Sequence, residues 1–274
     1  MAIRSILTCY TGDGGGDSAL RLAIQMAQKY EARLTAALWQ PANPLRQRPA
    51  SFLTRDIDTI LDQAEEEFAA TRRASFEARI AEAGLDARAG FVSLVGTEAT
   101  RLSAYARGHD IVVMGGGPAV LRGEKFAVRP DVMALRSGRP VFIVPPGYAA
   151  PRIVETALVA WDGKRAAARA LADAMHILGT KERVTLLSVG SGPAPGHVQD
   201  ALRLMALHGV KAKAEIRPAG PGGIGRTILD ACTEFGAGQL FMGAYEHSKF
   251  SEDLLGGVTR DILEQAHIPV MMSH

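Results

Sequence analysis

The chain carries only two cysteines in 274 residues, Cys9 and Cys232, each inside an apolar segment. Two widely spaced thiols exclude a disulfide framework and a cysteine-rich zinc site, and they suit a reducing compartment. One-sided charge is also missing, because 31 Lys and Arg face 29 Asp and Glu for a formal +2. That balance supplies no bulk field to select an anionic partner, and the basic residues are scattered rather than striped with aromatics. No nucleic-acid partner is expected. No apolar run approaches the roughly 18 residues that a membrane helix needs. The apolar stretch after Ser5 is shorter than the apolar region of a signal peptide. A cytoplasmic protein without a membrane partner is expected. The histidines show no His-x3-His spacing, and there is no Gly-x-Ser-x-Gly elbow, Walker lysine loop or pair of carboxylates at a strand end. These absences remove the usual metal and nucleophile motifs, so no metal ligands are assigned.

What is present is ordinary globular composition, 47% hydrophobic and 22% charged, at a length that suits two domains. The chain also repeats itself. Ile6 to Ala27 (ILTCYTGDGGGDSALRLAIQMA) is similar to Leu158 to Leu178 (LVAWDGKRAAARALADAMHIL), which places Tyr10 on Trp161. DIVVMGG (Asp110 to Gly116) matches GQLFMGA (Gly238 to Ala244), and RPVFIVPPG (Arg139 to Gly147) matches IPVMMSH (Ile268 to His274) at Pro-Val. Three matches in one order indicate a duplicated domain, residues 1–147 and 152–274, with the Pro/Gly-rich stretch from Pro145 to Arg152 as linker.

Within each copy, short apolar runs alternate with segments of helical periodicity. In the second copy the runs are Ala157 to Trp161, Arg183 to Val189, Ala212 to Ile216, Gln239 to Met242 and a last strand from Pro269. Helices are expected from Lys164, over Val198 to His208, around Ile228 to Phe235, and over Gly257 to Ala266. This alternation predicts a mostly parallel α/β sheet with helices on both faces. The first copy follows the same order, with a long second helix (about Arg55 to Ala83) after a proline-rich loop. There Glu65, Glu66 and Glu67 form a solvated face, and Ile57, Ile60, Leu61, Ala64 and Phe68 a buried stripe. Cys9 on its strand and Cys232 on its helix are expected in the core.

Ligands of open parallel sheets sit at the carboxyl ends of the strands. In the second copy these ends carry Asp162, after the first strand, and Gly243, after the fourth. Gly256, Gly257, Val258 and Thr259 open the last helix. Two glycines at a helix start let backbone amides approach a phosphate, and Asp162 could bond a ribose hydroxyl or help hold magnesium. The plain alternative is a tight helix entry, with Asp162 capping the helix that follows it.

GAYEHSKFSEDLLGGVTRDIL (Gly243 to Leu263), together with ALVAWDG (Ala157 to Gly163), resembles the universal stress protein family in its tandem, two-domain form. The resemblance implies two flavodoxin-like (Rossmann-like) domains, each a five-stranded parallel sheet, packed face to face about a pseudo-twofold axis. It also implies a stress-response or regulatory role, a protein partner or homo-oligomer, and an ATP or AMP site, with Mg2+ accompanying ATP. The family motif Gly-x2-Gly-x9-Gly-[Ser/Thr] falls on Gly243, Glu246, Gly256 and Gly257. Glu246 departs by placing a carboxylate on the triphosphate path, so binding in the second domain is expected to be weak. In the first domain Thr11 replaces Asp162, and Ala127-Val128 followed by Arg129-Pro130 replaces the glycine pair. That site reads as degenerate.

Two other readings differ in class. Asp13-Gly14-Gly15-Gly16-Asp17-Ser18 resembles the Ser-Gly-Gly-x-Asp-Ser loop of ATP pyrophosphatases, which would make the protein an adenylating or ATP-hydrolysing enzyme. There Asp17-Ser18 would cap the first helix and touch phosphate. The third reading is a ligand-free protein-interaction scaffold. Duplication predicts two separate five-stranded sheets rather than one continuous sheet. The last strands, Val141 to Val144 and Val270 to Met272, are apolar edges expected to lie against each other within the chain.

Overall fold

The computed structural model describes residues 2–12, 14–41, 55–96, 100–116, 129–244 and 257–274. The first half runs β1 (Ser5–Cys9), α1 (Gly14–Tyr30), β2 (Arg33–Pro41), α2 (Arg55–Glu82), β3 (Ala89–Gly96), α3 (Thr100–Ala106), β4 (Ile111–Gly115), α4 (Pro130–Ser137) and β5 (Val141–Val144). After a linker the order repeats as β6 (Thr156–Ala160), α5 (Arg165–Leu178), β7 (Arg183–Val189), α6 (Pro195–Leu207), β8 (Ala212–Arg217), α7 (Gly223–Glu234), β9 (Gln239–Gly243), α8 (Gly257–Gln265) and β10 (Val270–Ser273).

The ten strands of the described residues join one sheet in the order β3-β2-β1-β4-β5-β10-β9-β6-β7-β8. Each half contributes five parallel strands in the same relative order, so the sheet is a palindrome. Its centre is the antiparallel pair β5–β10, with Phe142 opposite Met271. The expected meeting of the last strands is therefore present. Separate sheets and face-to-face packing are not. The physical reason is direct: once two apolar edges pair through their backbones, the sheets they terminate become one, and the halves join edge to edge.

Strand alternation sends neighbouring side chains to opposite faces, and each face has its own helices. On one face, Phe142, Phe241 and Met271 pack in a cluster with side chains of α1, α2, α5 and α6. On the other, Val141, Ile143, Val270 and Met272 pack with those of α3, α4, α7 and α8. Both clusters draw on both halves. The Phe142 and Phe241 rings meet edge to face, with centroids 5.8 Å apart across the seam.

Helix α5 buries Ala167, Ala170, Leu171, Ala174, Met175 and Leu178, the stripe its periodicity predicts. Helix α6 starts at Pro195, three residues before the expected Val198, because proline suits the first helical turn, where an amide has no partner anyway. The stripe on α2 is a correction. Phe76 and Ile80 are buried, but Ile57, Ile60 and Phe68 are exposed, Ile60 at 61%. A helix of 28 residues is about 42 Å long, whereas the nine-residue β2 is about 30 Å. The amino-terminal half of α2 therefore overhangs the sheet.

Polar contacts add to the seam. Lys29, in the last turn of α1, pairs with Glu155 of the linker at 2.7 Å. The Tyr30 ring lies 5.6 Å from that of His176 on α5. Burial lowers the Lys181 ammonium to about 8 against the pull of Glu155, and raises the Tyr30 hydroxyl to about 12.

Phe142 is fully buried at the centre of the palindrome. Phe142→Ala should cost about 3–5 kcal/mol in urea unfolding, and both halves should lose stability in one shared transition. Two separate transitions, with only the first half affected, would contradict a shared core.

Candidate functional site

The carboxyl ends of β6 and β9 are neighbours, because those strands pair in parallel. Beyond β6 the chain is pinned by Trp161, whose amide donates to the Leu187 carbonyl at 2.8 Å. The Ser188 hydroxyl donates back to the Trp161 carbonyl at 2.8 Å. Asp162 follows, exposed to solvent. Its Oδ1 accepts a 3.0 Å bond from the Lys164 amide, closing a local turn at the entry of α5. Lys164 is the N-cap residue and makes no side-chain cap. The expected cap is therefore not made: Asp162 bonds the amide of the N-cap residue itself, in the turn before α5, and presents its carboxylate at the strand end. Gly163 has φ +77°, and a Cβ there would stand 2.6 Å from Pro193 Cβ, so glycine is required twice over.

Gly243 ends β9 opposite Ser273 of β10. A Cβ on Gly243 would collide with the Ala166 carbonyl carbon and the Ala167 amide nitrogen. Its glycine is therefore needed for α5 to pack its first turn on the strand end. Ala244 continues the ladder to the Ser273 carbonyl at 2.9 Å, and the His274 Nδ1–H donates to the Ala244 carbonyl at 3.0 Å.

Helix α8 opens at Gly257, as expected; Gly257 is exposed, Val258 half-buried and Thr259 buried. Its first turn lies against α7, where a Cβ on Gly225 would come 3.4 Å from the Val258 carbonyl oxygen. Gly256 and Glu246 lie outside the described residues. Asp162 and Gly243 are thus brought to adjacent strand ends, Gly257 faces solvent, and the Thr259 side chain is withdrawn into the protein. Two groups at these strand ends, Trp161 Nε1 and Ser273 Oγ, are buried without a hydrogen-bond partner among the described residues. Trp161 is one of the residues that the sequence places at the end of the first strand of this half; Ser273 was not singled out, and no local pattern marks it.

The first half differs at the equivalent places. Gly12 repeats the turn of Gly163 with φ +69°, but the Arg72 side chain lies over it. Arg72 also stacks on the Phe68 ring at 4.8 Å. Helix α4 begins with Pro130, which has no amide to offer, and Arg129 gives no side-chain cap. Ala127 and Val128 lie outside the described residues. The glycine stretch differs from the sequence reading: Gly14 to Ser18 forms the first turn of α1 rather than a loop before it, so Asp17 and Ser18 are not N-caps. Ser18 is buried, and Asp17 lies 3.6 Å from Arg79. Asp13 lies outside the described residues.

Neither cysteine takes part. Both are buried, and burial pushes each thiol up to about 12, the opposite of an activated nucleophile.

Residues 154–274 match the model of the universal stress protein family. No curated protein matches the chain. Among solved structures, a universal stress protein from Archaeoglobus fulgidus DSM 4304 is similar over 98% of this chain and 96% of its own, with TM-score 0.71 and 16% identity. A putative universal stress protein from Pseudomonas aeruginosa UCBPP-PA14 is similar over 99% of this chain and 93% of its own, with TM-score 0.57 and 15% identity. A functionally unknown protein from Pseudomonas aeruginosa PAO1 covers 99% and is covered 92%, with TM-score 0.56 and 15% identity. At these identities the structures show the fold: a mainly parallel α/β sheet of Rossmann-like halves.

Two outcomes test the packing described. Gly243→Ala should destabilise the protein by about 1–3 kcal/mol in urea, since backbone rather than a flexible side chain must move. Cys9 and Cys232 should stay unreactive toward a thiol reagent in the native protein and react fully in denaturant; rapid labelling of either native thiol would contradict their burial.

Proposed function

We propose that the chain acts as a tandem universal-stress-type regulatory protein, with domains 1–147 and 152–274, and that its second domain binds ATP or AMP weakly at the ends of β6 and β9. The observation that carries this reading is the exposed Asp162 carboxylate, one strand away from Gly243, inside the segment that matches the family. Asp162 and Gly257 suit the ligand. The carboxylate has an oxygen free of the Lys164 amide for a ribose hydroxyl, and Gly257 exposes the start of α8 to a phosphate. Gly243 and Thr259 suit it less, the first being covered by the α5 backbone and the second buried. Gly256 and Val258 complete the proposed set, and Glu246 opposes binding through its charge and bulk. Bound ATP would bring Mg2+, to which Asp162 would offer a carboxylate oxygen. Partial fit and an opposing carboxylate together account for weak rather than tight binding.

A second reading, a protein-interaction scaffold, is favoured by the exposed Ile57, Ile60 and Phe68 on the overhanging part of α2. The enzyme reading has less support, because Asp17 is engaged by Arg79 and the glycines are built into a helix.

Calorimetry separates the readings. Glu246→Gly should tighten ATP binding roughly tenfold, equivalent to about 1.4 kcal/mol. Asp162→Ala in that background should weaken it again. Undetectable binding in both wild type and Glu246→Gly would favour the scaffold, and pyrophosphate release that depends on Asp17 would favour the enzyme.

A further inference from the structure

A cleft of about 650 Å3 opens at the seam between the halves, lined by Gln25, Lys29, Arg152, Glu155, Glu182 and Arg183 among others. It lies between α1, the linker and the amino ends of β6 and β7. Asp162 and Gly243 stand at the carboxyl ends of the second-half strands, so this is a separate place, and its use does not depend on the nucleotide reading.

Its charges do not cancel. Glu155 is held by two ammonium groups, Lys29 at 2.7 Å and Lys181 at 3.5 Å. Lys181 also donates to the Val154 carbonyl at 2.9 Å from behind the wall. Arg183 donates only to the Thr156 hydroxyl, through Nε at 3.2 Å and Nη2 at 3.0 Å, and meets no carboxylate among the described residues. Arg152 makes no ion pair or hydrogen bond among them. Lys29, Arg152 and Arg183 line the cleft against Glu155 and Glu182, an excess of one positive charge, and the Lys181 ammonium behind the wall adds to the hold on Glu155. A polar group there is also unsatisfied. Gln25 uses its Nε2 to donate to the Ala150 carbonyl at 2.8 Å, while its Oε1 is buried and accepts nothing among the described residues. A buried acceptor without a donor is destabilising, so a ligand donor there is favoured.

We propose that this cleft is a ligand site for a small phosphate monoester bearing hydroxyl groups. Guanidinium forks match phosphate oxygens in pairs, which Arg152 and Arg183 are placed to supply. Gln25 Oε1 lies just beneath the wall, so a turn of the Gln25 side chain toward the cleft would give it a ligand hydroxyl, and the positive excess disfavours an amine in that role. The volume falls within the range of metabolite pockets. Because the wall is built from α1 of one half and β6 and β7 of the other, a bound monoester ties the halves together and raises their joint stability.

Calorimetry and 31P NMR with glycerol 3-phosphate, inorganic phosphate and glycerol test this on the full chain. Glycerol 3-phosphate should bind at millimolar concentration or below, inorganic phosphate several-fold more weakly, and glycerol not at all. Arg152→Ala, which removes no hydrogen bond among the described residues, should weaken glycerol 3-phosphate about tenfold. Gln25→Leu should remove the preference over inorganic phosphate. Absence of glycerol 3-phosphate binding, affinity unchanged in Arg152→Ala, or equal binding of inorganic phosphate would each overturn the proposal. An effect of Arg152→Ala with ATP binding unchanged would separate this site from the nucleotide cleft.

Discussion

The antiparallel pairing of β5 with β10 is the interaction on which the rest of the molecule depends. Each strand is a short run of buried residues that would otherwise end a parallel sheet with its backbone amides and carbonyls unpaired. Pairing them satisfies both edges at once and makes the hydrophobic core continuous on both faces of the sheet. It also sets the symmetry, since an antiparallel pair of equivalent strands relates everything on either side by a local twofold. The outer strands β3 and β8 are the edges that remain. Of these β8 is largely solvent-exposed along its length, with Lys213 and Glu215 on a strand that leaves Ile216 uncovered.

Close backbone approach is the second constraint, and it acts at the strand ends. The alanine-rich face of α5 brings the helix so near the sheet that Gly243 admits no side chain. The same short distance aims the first turn of α5 at the place where a ligand of an open α/β sheet would sit. A glycine that resembles part of a phosphate motif therefore has a packing reason of its own. Gly163 is similar, fixed by its left-handed backbone and by Pro193. In the first half the equivalent turn at Gly12 is covered by Arg72, so the two halves share a backbone and differ in what overlies it.

The sequence by itself determined the repeated order of elements, the α/β alternation and which strands meet at the seam. These follow from local signals: apolar runs of strand length, helical stripes such as Ala167 to Leu178, and repeated Pro-Val segments. It also placed Asp162 and Gly257 where they are found, after β6 and at the start of α8, because element boundaries fix those positions. Only the tertiary structure decided the rest. One continuous sheet replaced two, because fusion is a consequence of long-range pairing that no local pattern carries. Ile57, Ile60 and Phe68 have the spacing of a buried stripe, yet they are exposed, since burial depends on whether a sheet lies opposite and β2 is shorter than α2. The buried Trp161 Nε1 and Ser273 Oγ, and the cleft where Arg152, Arg183 and Gln25 converge, join residues far apart in the chain. Their meeting is set by the register Phe142–Met271 and by the linker that follows β5, and that register exists only in the folded protein.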